Sequence, residues 1–193
     1  RDVAPSRGLG DVYKRQHQVM VAISTLGFMI YYGVGAAVSV RVSNYFGRQD
    51  LLHVRRTTMA GFHLILCLAV CACTVFLFSR ELIGYLFTTS EEVIRVVSTL
   101  VYILLAYQFG DALQITYANS LRGIGDVISM AVISFIGYFL IAMPVCYICG
   151  FVLEWGITGI WIGYPIGLTL TGVMLCGRYY WKLKTKTQSK EFY

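Results

Sequence analysis

Charged side chains are scarce in this sequence. Asp, Glu, Lys and Arg together make up 13% of its 193 residues, whereas hydrophobic residues make up 57%. Soluble domains carry about 25% charged residues, so the composition excludes an ordinary soluble globular protein. The mean hydropathy of +0.65 instead predicts a protein that crosses a membrane several times.

The residue patterns of catalytic and metal sites are also lacking. The three histidines show no metal-ligand spacing, and the chain has no Ser/His/Asp set, paired carboxylates or phosphate-binding loop. The six cysteines lie within apolar runs, where we interpret them as small packing residues. The net charge of +6 does not indicate nucleic-acid binding, because the basic residues fall between apolar runs rather than along one face with aromatics. We therefore expect no enzymatic activity, no catalytic residue, no cofactor and no nucleic-acid partner.

Five apolar runs are what the sequence does contain, and each has the roughly 20 residues that a helix needs to cross a 30 Å hydrocarbon core. Backbone groups in lipid must be hydrogen-bonded internally, and no β-barrel alternation is present, so we predict an all-α membrane protein. Spans one to five are predicted at about Gln18–Val42, Thr57–Ser79, Val96–Leu121, Val127–Leu153 and Trp155–Gly177.

Lysine and arginine are distributed unevenly between the two ends of the predicted bundle. The connections after spans one and three and the C-terminal segment hold ten of them, whereas the opposite end holds only Arg80 and Arg95. Basic residues concentrate on the cytoplasmic side of membrane proteins. We therefore predict a multi-pass protein of the plasma (inner) membrane with a cytoplasmic C-terminus, in which residues 186–193 form a cytoplasmic tail and residues 17–185 the membrane domain.

Residues 1–16 do not fit the pattern that follows. They are charged, rich in Gly and Arg, and would place four basic residues on the outer side. We interpret them as a non-native or disordered tail that makes few contacts with the spans; the alternative is a native loop outside the membrane.

Asp111 is the only acidic residue inside a predicted span. A charged carboxylate at bilayer depth costs at least about 2.5 kcal/mol. On a helix, Tyr107 lies about 40° from Asp111, Gln114 about 60°, and Gln108 about 60° on the other side, so the polar groups share one face. We predict a proton or cation site at Asp111, with Tyr107, Gln108 and Gln114 as neighbours. The structural alternative is a carboxylic acid that joins helices by hydrogen bonds.

Small residues and prolines mark the last two spans. Gly159, Gly163 and Gly167 form one stripe along span five, which predicts close helix packing within the chain or, alternatively, a dimer interface. Pro144 and Pro165 lie within spans four and five, where a proline kinks or loosens a helix.

Several segments together resemble the multidrug and toxic compound extrusion (MATE) transporters. The resemblance extends over about residues 17–185, and the segments that carry it are Gly33–Asp50, Tyr107–Gln114, Leu121–Asp126 and Gly156–Gly163. It implies a twelve-helix transporter with two six-helix lobes, in which the five spans look like helices 8 to 12, most of the C-terminal lobe. The N-terminal lobe and helix 7 of the same protein would then be missing partners of this fragment.

The family's activity is implied by the same resemblance. Its members export cationic, amphipathic compounds in exchange for Na⁺ or H⁺, and in the NorM-like branch an Asp and a Tyr at the positions of Asp111 and Tyr107 form part of a cation site. No metal other than Na⁺ at Asp111 is implied. The expected partners are small organic cations and membrane lipids. A lipid-linked oligosaccharide flippase of the same superfamily and a membrane subunit without transport remain as alternatives.

Overall fold

The structure, a computed structural model, describes residues 4–87 and 91–191, which form five helical rods. The first three are α1 (Ala4–Gly47), α2 (Leu51–Phe87) and α3 (Glu91–Gly123), and the fifth is α6 (Gly156–Glu191). The described residues contain no strand, so the all-α prediction is confirmed. By length and hydropathy, three helices of the described part are apolar enough to cross a membrane, at Leu51–Val75, Val127–Val152 and Gly159–Gln188.

The fourth rod differs from a regular α-helix. Two α-helical stretches, α4 (Val127–Phe135) and α5 (Met143–Tyr147), alternate with two π-helical segments, Ile136–Ala142 and Ile148–Val152. In the π-helical segments the amides of Met143 and Leu153 bond to carbonyls five residues earlier. Pro144 lies between them and has no amide to donate to the preceding turn. Pro144 led us to expect a kinked or loosened helix in span four. The structure shows this irregularity as a change between α-helical and π-helical turns.

Helix α1 begins at Ala4 rather than near residue 17. The backbone of residues 4–16 is thus helical, where we expected an irregular segment. Pro5 stands in the first turn, where a missing amide is tolerated. Gly8 and Gly10 each cost about 1 kcal/mol, which a helix already nucleated by its apolar span can carry. Side chains of residues 1–17 lie outside the described residues, and so does the expectation that they make few contacts.

Helix α3 is the central element of the bundle and packs against α1, α2 and α6. Two apolar cores lie along it. The larger joins four helices and contains Val42, Val54, Leu121 and Tyr179. The smaller contains Tyr31, Ile65 and Ala112 and lies next to Asp111 in the sequence of α3. Asp111 therefore lies on the helix that packs against three other helices of the bundle.

The short turns after α1 and α3 have the same geometry. The amide of Asp50 bonds to the Tyr45 carbonyl and that of Asp126 to the Leu121 carbonyl, both at 3.0 Å. The preceding residues, Gln49 and Gly125, have φ values of 62° and 78°. Both turns lie at one end of the bundle, which we call the basic end. The basic residues there whose side chains the structure describes are Arg41, Arg48, Arg55, Arg56, Arg122, Arg178, Lys182, Lys184 and Lys186.

The glycine stripe of α6 faces span four of the same chain. A Cβ atom at Gly159 would meet the carbonyl of Cys149, one at Gly163 would meet Cys146, and one at Gly167 would meet Ala142. The two helices therefore approach as closely as their backbones allow. This confirms the prediction of close packing within the chain.

Candidate functional site

Asp111 is buried near the middle of α3, with only 2% of its surface exposed. Its Oδ2 atom has no hydrogen-bond partner among the described residues. The described ion pairs join Asp126 to Arg178 and Asp50 to His53, and neither includes Asp111. A buried carboxylate oxygen without a partner is rare in folded proteins and is expected where a ligand or ion binds.

A cleft of about 340 Å³ lies against Asp111. Tyr107 and Gln114, two of the residues predicted to neighbour Asp111, line the same cleft. Two of the three predicted neighbours thus line a half-open cleft together with Asp111.

Span four closes one side of this cleft through Tyr138. The Gln114 side chain donates a hydrogen bond from Nε2 to the Tyr138 hydroxyl. Tyr107 and Tyr138 line the same cleft as the Asp111 carboxyl. Gln114 is therefore held in place by span four, and uncharged phenols and an amide share this part of the cleft with the Asp111 carboxyl.

Gln108 occupies a different position from the other predicted residues. It is almost fully buried, at 1% exposure, and does not line the cleft. Its Nε2 atom has no hydrogen-bond partner within the described residues. Gln108 and Gln114 lie 120° apart around the helix axis, each about 60° from Asp111. Gln108 therefore faces away from the cleft that Gln114 lines. The structure thus groups Asp111, Tyr107 and Gln114 and leaves Gln108 on the opposite side of Asp111.

Sequence reasoning missed the residues that other helices contribute. Tyr31 of α1 is 1% exposed, and its hydroxyl is buried without a partner among the described residues. Tyr32, Tyr138 and Tyr164 line the cleft from α1, span four and α6. Three other helices thus add a tyrosine to the cleft beside Tyr107 of α3. In the sequence these tyrosines stand out only because they lie inside apolar spans. Tyrosines that serve only for packing are also common at such positions.

The far end of the cleft has a different chemistry. Asn119 and Arg122 line it there, about 12 to 16 Å along α3 from Asp111. The Arg122 guanidinium donates to the Asn119 amide oxygen at 3.2 Å, and the Asn119 amide donates to the Ile115 carbonyl at 2.9 Å. The cleft therefore extends from a buried acid to a base at the basic end.

The donor set at Asp111 suits a monovalent cation or a proton. Carboxylate, phenol and amide oxygens are hard ligands, which suit hard cations rather than soft transition metals. Within the described part of the chain, no group of three or more His, Cys, Asp or Glu residues could hold a metal ion. Asp111 is the sole acid that lines the cleft.

Comparisons with solved structures agree with this architecture. An outward-facing MATE family multidrug resistance transporter of the MOP superfamily superposes with a TM-score of 0.85 at 14% identity, over 93% of this chain and 40% of that one. The eukaryotic MATE transporter AtDTX14 superposes with a TM-score of 0.83 at 20% identity, over 97% of this chain and 42% of that one. At these identities the likeness establishes the fold, and it confirms five helices like those of one part of such a transporter.

Comparisons of sequence are more specific. The multidrug resistance protein NorM of Photobacterium profundum is 33% identical over 189 residues, which cover 95% of this chain and 41% of the relative. NorM of Vibrio cholerae is 34% identical over 188 residues, which cover 94% and 40%. This chain thus spans about two fifths of the length of these relatives. The family model described as MatE matches residues 16–148, more than half of the chain. The protein is therefore a multi-pass membrane protein that belongs to the MatE family.

Proposed function

We propose that this chain is part of a secondary active multidrug exporter that exchanges cationic, amphipathic compounds for Na⁺ or H⁺. The observation that carries the proposal is the buried Asp111 carboxylate, whose Oδ2 atom has no hydrogen-bond partner among the described residues and which lies against a cleft lined by tyrosines. The names of its NorM relatives and its membership of the MatE family support multidrug export. The N-terminal lobe and helix 7 of the same protein would complete the transporter.

Coupling follows from the competition for one carboxylate. An ionised Asp111 is unfavourable in its buried position, and binding of Na⁺ or H⁺ removes that cost. An organic cation with an aromatic body would be attracted by the same charge and would contact the tyrosines. If Na⁺ or H⁺ and the drug favour different packings of the helices, each shifts the equilibrium against the other.

In this proposal the neighbours of Asp111 have separate roles. Tyr107 and Gln114 supply oxygen atoms at the cleft, and Tyr138 orients Gln114. Gln108, whose Nε2 atom has no partner among the described residues, lies on the other side of Asp111, and its amide oxygen would reach the cation only after a rearrangement. The basic end would face the cytoplasm of a cell bounded by a plasma membrane.

The test replaces the charge and keeps the shape. In the full-length protein, Asp111→Asn should insert and accumulate normally, because an uncharged side chain is less costly in lipid than a carboxylate. Efflux of a fluorescent organic cation from vesicles under an imposed Na⁺ or H⁺ gradient should fall at least about tenfold, the middle of the range for coupling between two sites.

The matched control is Glu154→Gln, which removes one acid at an exposed connection and should leave efflux at the wild-type rate. Wild-type efflux by the Asn variant at equal protein level would contradict the role of Asp111. Loss of accumulation without a transport defect per molecule would instead support the structural alternative, in which the carboxylic acid only joins helices.

A further inference from the structure

A second groove lies between α1 and α2, remote from the cleft at Asp111. It has a volume of about 340 Å³, and no residue of the Asp111 cleft lines it. Its floor is apolar, with Val34 and Val38 from α1 and Ala60 and Leu64 from α2. The side chain of Val38 occupies the space where Gly61 has no Cβ, so the two helices meet at the bottom of the groove.

Two arginines stand at the mouth of this groove. Arg41 comes from α1 and Arg56 from α2, and both side chains are exposed. Among the described residues, neither has an acidic partner within the 4.0 Å of an ion pair. Arginine binds phosphate through several donors at once. Two guanidinium groups that line one groove from different helices, without an acidic partner among the described residues, therefore favour one anionic group between them.

The other ionisable groups near the mouth contact each other. His53 lines the groove, and its Nδ1 atom lies 2.7 Å from Oδ2 of Asp50. The His53 ring also stacks on Tyr45, with 5.2 Å between the ring centroids. This group lies at one wall of the mouth, and Arg41 and Arg56 are the arginines that line the groove.

The distances match the division of a phospholipid into headgroup and chain. Arg41 lies seven residues beyond Val34 on α1, and Arg56 lies eight residues before Leu64 on α2, so the apolar floor extends roughly 10 to 12 Å from the arginines. All of these residues belong to the predicted spans or their basic-end margins. A groove with basic groups at the headgroup level and an apolar floor has the pattern of an anionic-lipid site.

We propose that the α1–α2 groove binds an anionic phospholipid of the adjoining leaflet, with Arg41 and Arg56 on its phosphate and an acyl chain along the floor. The proposal depends on the chain's place in a membrane and not on transport or on Asp111. An efflux defect in the Asp111 variant neither supports nor contradicts it.

The experiment is native mass spectrometry of the full-length protein, purified in detergent and titrated with dioleoyl phosphatidylglycerol or dioleoyl phosphatidylcholine. Wild type should retain the phosphatidylglycerol preferentially. The double variant Arg41→Gln with Arg56→Gln should bind it roughly 30-fold more weakly, since each basic residue near an anionic lipid contributes about fivefold. The control, Arg48→Gln with Lys184→Gln, removes the same charge from exposed positions of the basic end and should bind like wild type.

A third variant, Ala60→Trp, fills the exposed floor of the groove and keeps both arginines. It should lose the phosphatidylglycerol while its melting temperature stays close to that of wild type. Equal losses in the control pair and the Arg41/Arg56 pair would overturn the proposal in favour of general attraction by the basic end. Displacement of the lipid by millimolar inorganic phosphate would overturn it in favour of a soluble anion. Absence of selective binding by wild type would also overturn the proposal.

Discussion

The contact between the glycine stripe and span four gives a sharp prediction at Gly159. In Gly159→Ala the new Cβ would lie 2.9 Å from the Gly150 amide nitrogen and closer still to the carbonyl of Cys149. These atoms belong to the backbone, so no side chain can rotate away to make room. The two helices must therefore separate, and overpacking of this kind costs about 1–3 kcal/mol.

Gly177→Ala provides the matched control on the same helix. Gly177 is exposed, and a Cβ atom there would meet nothing within 4 Å. Alanine is a better helix former than glycine by up to about 1 kcal/mol, so this variant should be as stable as wild type or slightly more stable. The difference between the two variants isolates the packing cost at the stripe.

The measurement is the free energy of unfolding of each full-length variant in mixed micelles, followed by circular dichroism as the denaturing detergent fraction rises. Gly159→Ala should be about 1–3 kcal/mol less stable than Gly177→Ala. Equal stability of the two alanine variants would refute the close approach of α6 and span four, and with it the assignment of the stripe to packing within the chain.

Two further predictions concern the basic end. Asp126 accepts a hydrogen bond of 2.8 Å from Arg178, which lowers the pKa of the carboxyl. The contribution of this ion pair to the stability of the folded protein is therefore complete above the pKa of about 3.9 in the unfolded chain. It disappears as the pH falls through the lower pKa of the folded protein. Asp126→Asn should therefore cost about 1.5–3 kcal/mol at pH 7 and progressively less below pH 4, and a penalty that does not change with pH would contradict the ion pair. Impermeant maleimide should label a single cysteine at Glu154 but not one at Lys184 in intact cells, in a background without native cysteines, whereas labelling at Lys184 would reverse the orientation.

The number of helices was predictable from hydropathy, whereas the residues at which the helices begin and end were not. Each of the five apolar runs became a helical rod because lipid requires internal backbone hydrogen bonds. Hydropathy reports the part of a helix that crosses the hydrocarbon and not the part beyond it. For this reason α1 starts at Ala4 and α2 continues to Phe87, well past the predicted limits of spans one and two.

The candidate site was predictable only where one helix decides it. Periodicity placed Tyr107, Asp111 and Gln114 on one face, and the structure has them at one cleft. It could not supply Tyr138, whose hydroxyl meets Gln114 from span four, because that contact depends on how two helices pack. It also grouped Gln108 with the others, although a difference of six residues separates it from Gln114 by 120°.

The two π-helical segments of span four change how positions along it should be compared. A π-helical turn contains about one more residue than an α-helical turn. Each π-helical segment therefore shifts the residues that follow it around the helix axis by about 100°, the rotation that one residue makes in an α-helix. Residues before Ile136 and after Val152 therefore cannot be placed on a common helical wheel. Gly137 lies against Thr171 and Gly150 against Ile160 of α6, although their separation of 13 residues would put them about 140° apart on a regular helix. The wider turns of the π-helical segments keep one face of span four against α6.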